Sequence, residues 1–141
     1  MRVVLDANIL ISAFLYGGAL SFIANGTRDQ TITPCFSDVT WGEFERVLQY
    51  PKFAALLHSK SIDPGELLAR LELDAKFSPT IPSPVPIPND HDDEAILACA
   101  IAPNARCIVT GDQHLLSFAP HFLPPIVTPR QFQDMLSAQG L

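Results

Sequence analysis

"DDEAILACAIAPNARCIVTGDQHLL", residues 92–116, decides the fold class. Ala95, Ile96, Cys99 and Ala100 recur at helical spacing, which predicts a helix over residues 92–102 with those side chains inward. Pro103 and Asn104 end it. "CIVT", residues 107–110, is short, apolar and β-branched, the pattern of a buried strand. A helix feeding a buried strand is the repeating unit of an α/β fold. The strand delivers an acid, Asp112, to a turn, and Gly111 is expected to let the backbone swing so that Asp112 faces back over the strand end.

The same alternation extends to both termini. "RVVL", residues 2–5, reads as a strand that ends at Asp6, followed by a helix over 8–16 that Gly17-Gly18 breaks. A short helix over 19–24 precedes a second strand, "TITPCF" at 31–36, in which Pro34 indicates an edge or an irregularity. Ser37 or Asp38 caps a helix carrying Val39, Glu43, Arg46 and Val47, which "QYPKF" terminates. Further helices are expected over 52–58 and 64–76, with Pro64 in a first turn after Asp63. Pro79, Pro82, Pro84, Pro86 and Pro88 lack amide donors, so that stretch reads as an extended crossover of polyproline II character. A strand over 125–128 and a helix over 129–138 close the chain. The expected architecture is one domain over 1–141, a three-layer α/β/α sandwich with a central, mainly parallel sheet.

Bulk properties narrow the function classes. With 141 residues and 48% hydrophobic side chains, the chain can build a sizeable core, which excludes a disordered linker. A formal net charge of −6 gives no global attraction for nucleic acid, so such a substrate would need local basic residues or bound cations. Cys35, Cys99 and Cys107 are odd in number and lack CxxC spacing, so they read as small core residues of a reducing, cytoplasmic setting. The apolar run from Ile9 to Ala24 is short for a membrane span and contains Gly17-Gly18; no membrane span or targeting segment is expected.

Ligand sites of open parallel sheets form beyond the carboxyl ends of the strands. Asp6 follows the first strand, Asp112 follows "CIVT", Asp93 opens the helix before it, and Glu43 lies in the helix after the second strand. Asn8 and Thr110 can add neutral oxygens at that edge. Singly, Asp6 and Asp112 read as cap or turn residues, Glu43 as a solvated helix residue, and "NDHDDE" as a helix start that suits the dipole. Together they read differently. Neighbouring carboxylates repel, and a hard cation such as Mg²⁺ or Mn²⁺ relieves that repulsion. Two such ions about 4 Å apart hold the attacking water and the leaving oxygen of a phosphodiester, and they reverse the local charge toward an RNA backbone. Arg46 and Lys52 lie near Glu43 and are candidates to steer phosphates; singly, each reads as a solvated surface charge.

These residues resemble the PIN-domain ribonuclease family, in particular the toxins of bacterial toxin–antitoxin pairs. The likeness spans nearly the whole chain. "VVLDANILISAF" is similar to the family's opening strand, with Asp6 as first acid and Asn8 its companion. "SDVTWGEFERVLQYPKF" resembles the segment of the second acid, Glu43. "NDHDDEAILACAIAPNARCIVTGDQHLL" resembles the block that puts Asp93 third and Asp112 fourth, with Asp90 or Glu94 in support and His91 where relatives often carry proline. "PIVTPRQFQDML" is similar to the closing strand and helix. The resemblance implies a Mg²⁺- or Mn²⁺-dependent endoribonuclease of single-stranded RNA, catalysed by Asp6, Glu43, Asp93 and Asp112 without a histidine base. It also implies a homodimer and a small antitoxin that occupies or blocks the acidic site. Of the four acids, Asp112 is expected to be the most peripheral to the metal.

Other classes fit less well. A phosphotransfer receiver wants an early acidic pair and a late lysine, yet no lysine follows Lys76. A haloacid-dehalogenase-like phosphatase wants Asp where Asn8 stands. An EF-hand wants glycine at the sixth place of "DHDDEAI". His58, His91, His114 and His121 form no zinc-binding pair on one helix and read as scattered surface or core residues. Two alternatives stay open: a PIN fold that binds RNA or protein without catalysis, and a PIN nuclease of RNA processing with no antitoxin.

Overall fold

Val3 and Leu5 bury themselves on one face of the first strand, and Val4 on the other. That period-2 split recurs in every long strand and explains the layered architecture. The computed structural model describes residues 1–83, 91–118, 122 and 124–140, and only the backbone of His91 and Asp92. Strands β1 (Arg2–Leu5), β2 (Thr33–Phe36), β3 (Lys76–Phe77), β4 (Cys107–Val109) and β5 (Ile126–Val127) form one sheet in the order β3-β2-β1-β4-β5. Every described pairing is parallel. On one face Val3, Leu5, Phe36, Cys107, Val109 and Val127 join a core with Leu10, Phe44, Leu57, Leu71 and Phe132. On the other, Val4, Cys35, Ile108 and Ile126 pack with Leu97, Cys99, Ala100, Leu115 and Phe122. The α/β/α sandwich with a parallel sheet is as the sequence predicts.

The first face carries α1 (Ala7–Ile11, continued by a π-helical turn, Ser12–Tyr16), α2 (Ser21–Arg28), α3 (Asp38–Leu48), α4 (Pro51–Ser59), α5 (Pro64–Asp74) and α8 (Pro129–Ala138). The second carries α6 (His91–Cys99) and α7 (Gln113–Leu116). Local chemistry sets the ends. Gly17 stops the first helix at φ +69°, a conformation that costs a glycine little. Ser37 and Thr40 close a reciprocal capping box on α3, as Thr128 and Gln131 do on α8. Among the described residues no single helix is long and apolar enough to cross a membrane, although the bent pair Ala7–Tyr16 and Gly18–Arg28 passes by length and composition.

Several expectations change. Pro34 sits in an internal strand, between β1 and β3. The Thr33 amide donates to the Met1 carbonyl on the β1 side, so the missing donor of Pro34 faces the other way. There β3 begins pairing only opposite Cys35, so the ladder loses nothing. The helix expected over 64–76 stops at Asp74, and Lys76–Phe77 instead forms β3, where Phe77 stacks on Phe36 at 5.7 Å. The second short helix runs on to Arg28, the helix expected over 92–102 occupies His91–Cys99, and Gln113–Leu116 forms a further short helix that its sequence does not signal. Residues 78–83 are neither helix nor strand, as the proline pattern requires; Pro84, Pro86, Pro88 and Asp90 lie outside the described residues.

Candidate functional site

The strand order places β1 at the point where the chain reverses direction across the sheet: β2 and β3 lie on one side, β4 and β5 on the other. The crevice beyond the carboxyl ends of β1 and β4 is therefore the natural site of this topology. A cavity of about 640 Å³ opens there, and Asp6, Glu43, Asp93 and Asp112 all line it, with Asn8 at the same wall. Its apolar side is built by Ile9, Phe44, Val47 and Ile96.

Asp6 and Asp112 arrive as helix caps directly after neighbouring strands. The Asp6 amide extends the sheet by donating to the Val109 carbonyl at 3.1 Å, which locks its backbone. Its Oδ1 accepts from the Asn8 amide at 3.4 Å, and its Oδ2 from the Thr110 hydroxyl at 2.9 Å. Thr110 is fully buried, and its Oγ1 in turn accepts from the Asp112 amide at 3.0 Å. That second bond closes the turn. Gly111 has no positive φ, and an added Cβ would meet nothing within 4 Å, so the expected role for a glycine there is not borne out. The threonine hydroxyl makes the turn instead.

Asp112 is exposed and caps α7 by accepting from the His114 amide at 2.8 Å. Asp93 lies in the first turn of α6 and is only 5% exposed. Its Oδ2 meets the His114 ring at Nδ1, 3.1 Å away. Glu43 stands on α3 across the cavity, paired with the Arg46 guanidinium through Nη2 and, at 3.2 Å, through Nε. Arg46 also donates to the Tyr50 hydroxyl at 3.0 Å. Lys52 is exposed on α4 with its ammonium 4.8 Å from the centre of the Phe53 ring, and it does not line the cavity. Among the described residues His114 is a histidine that touches an acid, where the sequence suggests a scattered surface or core role; its position two residues after Asp112 is the available signal.

Burial pushes the Asp6 carboxyl above its ordinary value, and the Asp112 charge adds to that. Hydrogen bonds from Thr110, Asn8 and Ala7 oppose it. A half-buried carboxyl within the field of a second carboxylate is a place where a cation would be welcome. The donor set, four carboxylates and an amide oxygen, matches the hard oxygen ligands that Mg²⁺ and Mn²⁺ prefer. Among the described residues, no three acidic, histidine or cysteine side chains converge on one point. Glu43 is turned to Arg46, Asp93 to His114 and Asp112 to its own helix. The fit is thus one of chemistry and shared cavity, and both Arg46 contacts fall on one Glu43 oxygen, Oε2.

A family model described as PIN domain matches residues 2–114. The crystal structure of VapBC2 from Rickettsia felis bound to a DNA fragment from their promoter contains a chain of similar fold. That likeness has a TM-score of 0.57 and 16% identity, and it covers 91% of this chain and 98% of the other. A search of curated proteins gave no match.

Proposed function

The chain belongs to the PIN-domain family, and from that premise we propose that it is a divalent-metal-dependent endoribonuclease of single-stranded RNA, the toxin of a toxin–antitoxin pair. One observation carries the proposal: four carboxylates from four separate elements line one cavity at the carboxyl ends of β1 and β4. Like charges gathered in one cavity repel, and a bound cation relieves that repulsion.

Asp6, Glu43, Asp93 and Asp112 would hold Mg²⁺ or Mn²⁺, which when bound supplies the Lewis acidity for hydrolysing a phosphodiester. Thr110 orients Asp6 and shapes the turn that presents Asp112. Ile9, Phe44, Val47 and Ile96 form a dry flank that strengthens electrostatic interaction in the cavity. Arg46, exposed beside Glu43 on α3, is the cation we propose to meet a phosphate of the RNA.

The same acids support a protein partner. An anionic cavity attracts a partner that inserts Arg or Lys, and the structural neighbour is a VapBC2 complex. We propose such an antitoxin, together with a homodimer and a cytoplasmic location; three free, buried thiols support the last. The test is cleavage of single-stranded RNA by purified protein with Mn²⁺. Cleavage is expected to stop with EDTA and with Asp6→Ala. Activity that survives EDTA overturns the metal mechanism, and a folded protein that cuts no RNA favours the non-catalytic binding module. A short reading frame beside this one, whose product silences the nuclease, supports the toxin role; a nuclease that no neighbour inhibits favours RNA processing.

A further inference from the structure

His114 touches two of the four acids at once. Its backbone amide donates to Asp112 Oδ1 at 2.8 Å, and its ring Nδ1 lies 3.1 Å from Asp93 Oδ2. The ring contact spans 21 residues of sequence, from His114 in the helix after β4 to Asp93 at the start of α6. His114 itself does not line the cavity; Asp93 does. The imidazole is half-exposed and meets the acid through one carboxylate oxygen, Oδ2. Its orientation is fixed from a third direction by the edge of Phe118, with centroids 5.8 Å apart and planes at 65°.

We propose that His114 is a positioning residue for the cation site, holding the Asp93 carboxylate in a ligating orientation through Nδ1–H. This rests on the function proposed above. An ionised carboxylate only accepts, so Nδ1 carries the hydrogen in this pair. A bond to one oxygen of a buried carboxylate fixes the plane of the other, which a free rotor would have to find at an entropic cost on each binding event. Outer partners of metal ligands of this kind are typically worth about 10–100-fold in metal affinity. The competing role is a structural tie between α6 and α7 with no bearing on metal.

Titration calorimetry with Mn²⁺ alone separates these. His114→Phe keeps an aromatic ring beside Phe118 but removes the donor, and it is expected to weaken Mn²⁺ binding at least about 10-fold. His114→Asn places an amide N–H near the Nδ1 position and is expected to stay within about 3-fold of wild type, well inside that range. His114→Ala, at a half-exposed side chain, is the second donor-free variant should Phe disturb packing. Thermal unfolding in EDTA is measured alongside. If the donor-free variants lose stability in EDTA but bind Mn²⁺ like wild type, while Asp93→Asn does not, His114 is only a structural tie and the nuclease reading stands. If wild type and Asp93→Asn titrate alike, the cation site itself falls, and this inference with it.

Discussion

On one wall of the cavity Asp6, Asp112 and Asp93 are tied into a single hydrogen-bonded run through Thr110 and His114; on the other, Glu43 stands on α3 with its carboxylate paired to exposed Arg46. The first wall is anchored to the sheet: the Asp6 amide bonds to β4, and Thr110 is fully buried. The second is a surface ion pair one helical turn long. A rigid wall facing an adjustable one suits a site that must admit a ligand and then close on it. The backbone positions of Asp6 and Asp112 are set in advance by the sheet and the Thr110 turn, whereas Glu43 is held through one oxygen by an exposed guanidinium.

That contrast can be broken by mutation, and the largest effects belong to the anchored wall. Asp93→Asn and Asp6→Ala are expected to lower RNA cleavage by more than the roughly 100-fold that outer partners of a metal reach. Asp112→Ala, at the exposed end of the run, should cost less, and equal losses in steady-state assays would remove that ranking. Next comes Thr110→Val, which leaves the Asp112 amide and the Asp6 carboxyl short of one bond each. It should destabilise by about 1–3 kcal/mol in urea unfolding, with Thr110→Ser recovering most of it.

A pH series sharpens the picture of Asp6. Its folded carboxyl titrates above the ordinary value because burial penalises its charge. The unfolded chain therefore ionises first as pH rises, and stability is lost through the window up to the folded value. Without metal, Asp6→Asn should be more stable than wild type at neutral pH, with the gap closing below about pH 4, near the usual Asp value. Asn still caps the helix. A wild type that is the more stable protein at pH 7 in EDTA would contradict the assignment. The smallest effect belongs to the other wall: Arg46→Ala should shift stability by less than about 1 kcal/mol, because the guanidinium is more than half exposed.

The sheet was legible because its strands are buried on both faces, so "RVVL", "CIVT" and "PIVT" read as unbroken apolar runs ended by polar residues. The carboxyl-end rule then pointed to Asp6 and Asp112 without any knowledge of contacts. β3 was hidden because two residues carry no period, and its pairing depends on β2 lying beside it. Pro34 misled because only the direction of its missing amide matters, and direction is a property of register. Gly111 misled for a similar reason, since the neighbouring hydroxyl closes the turn that the glycine was expected to permit. For His114 the sequence offers only its nearness to Asp112; its contact with Asp93 arises when α6 and α7 pack on the same face.

The most direct measurement is an anomalous diffraction map from a crystal soaked in Mn²⁺. A manganese peak in bonding contact with Asp6 and Asp93, with Glu43 directed toward it, is the predicted result. A well-ordered cavity without a peak at saturating Mn²⁺, or manganese bound only elsewhere, would contradict the claim that these acids are gathered to hold a cation.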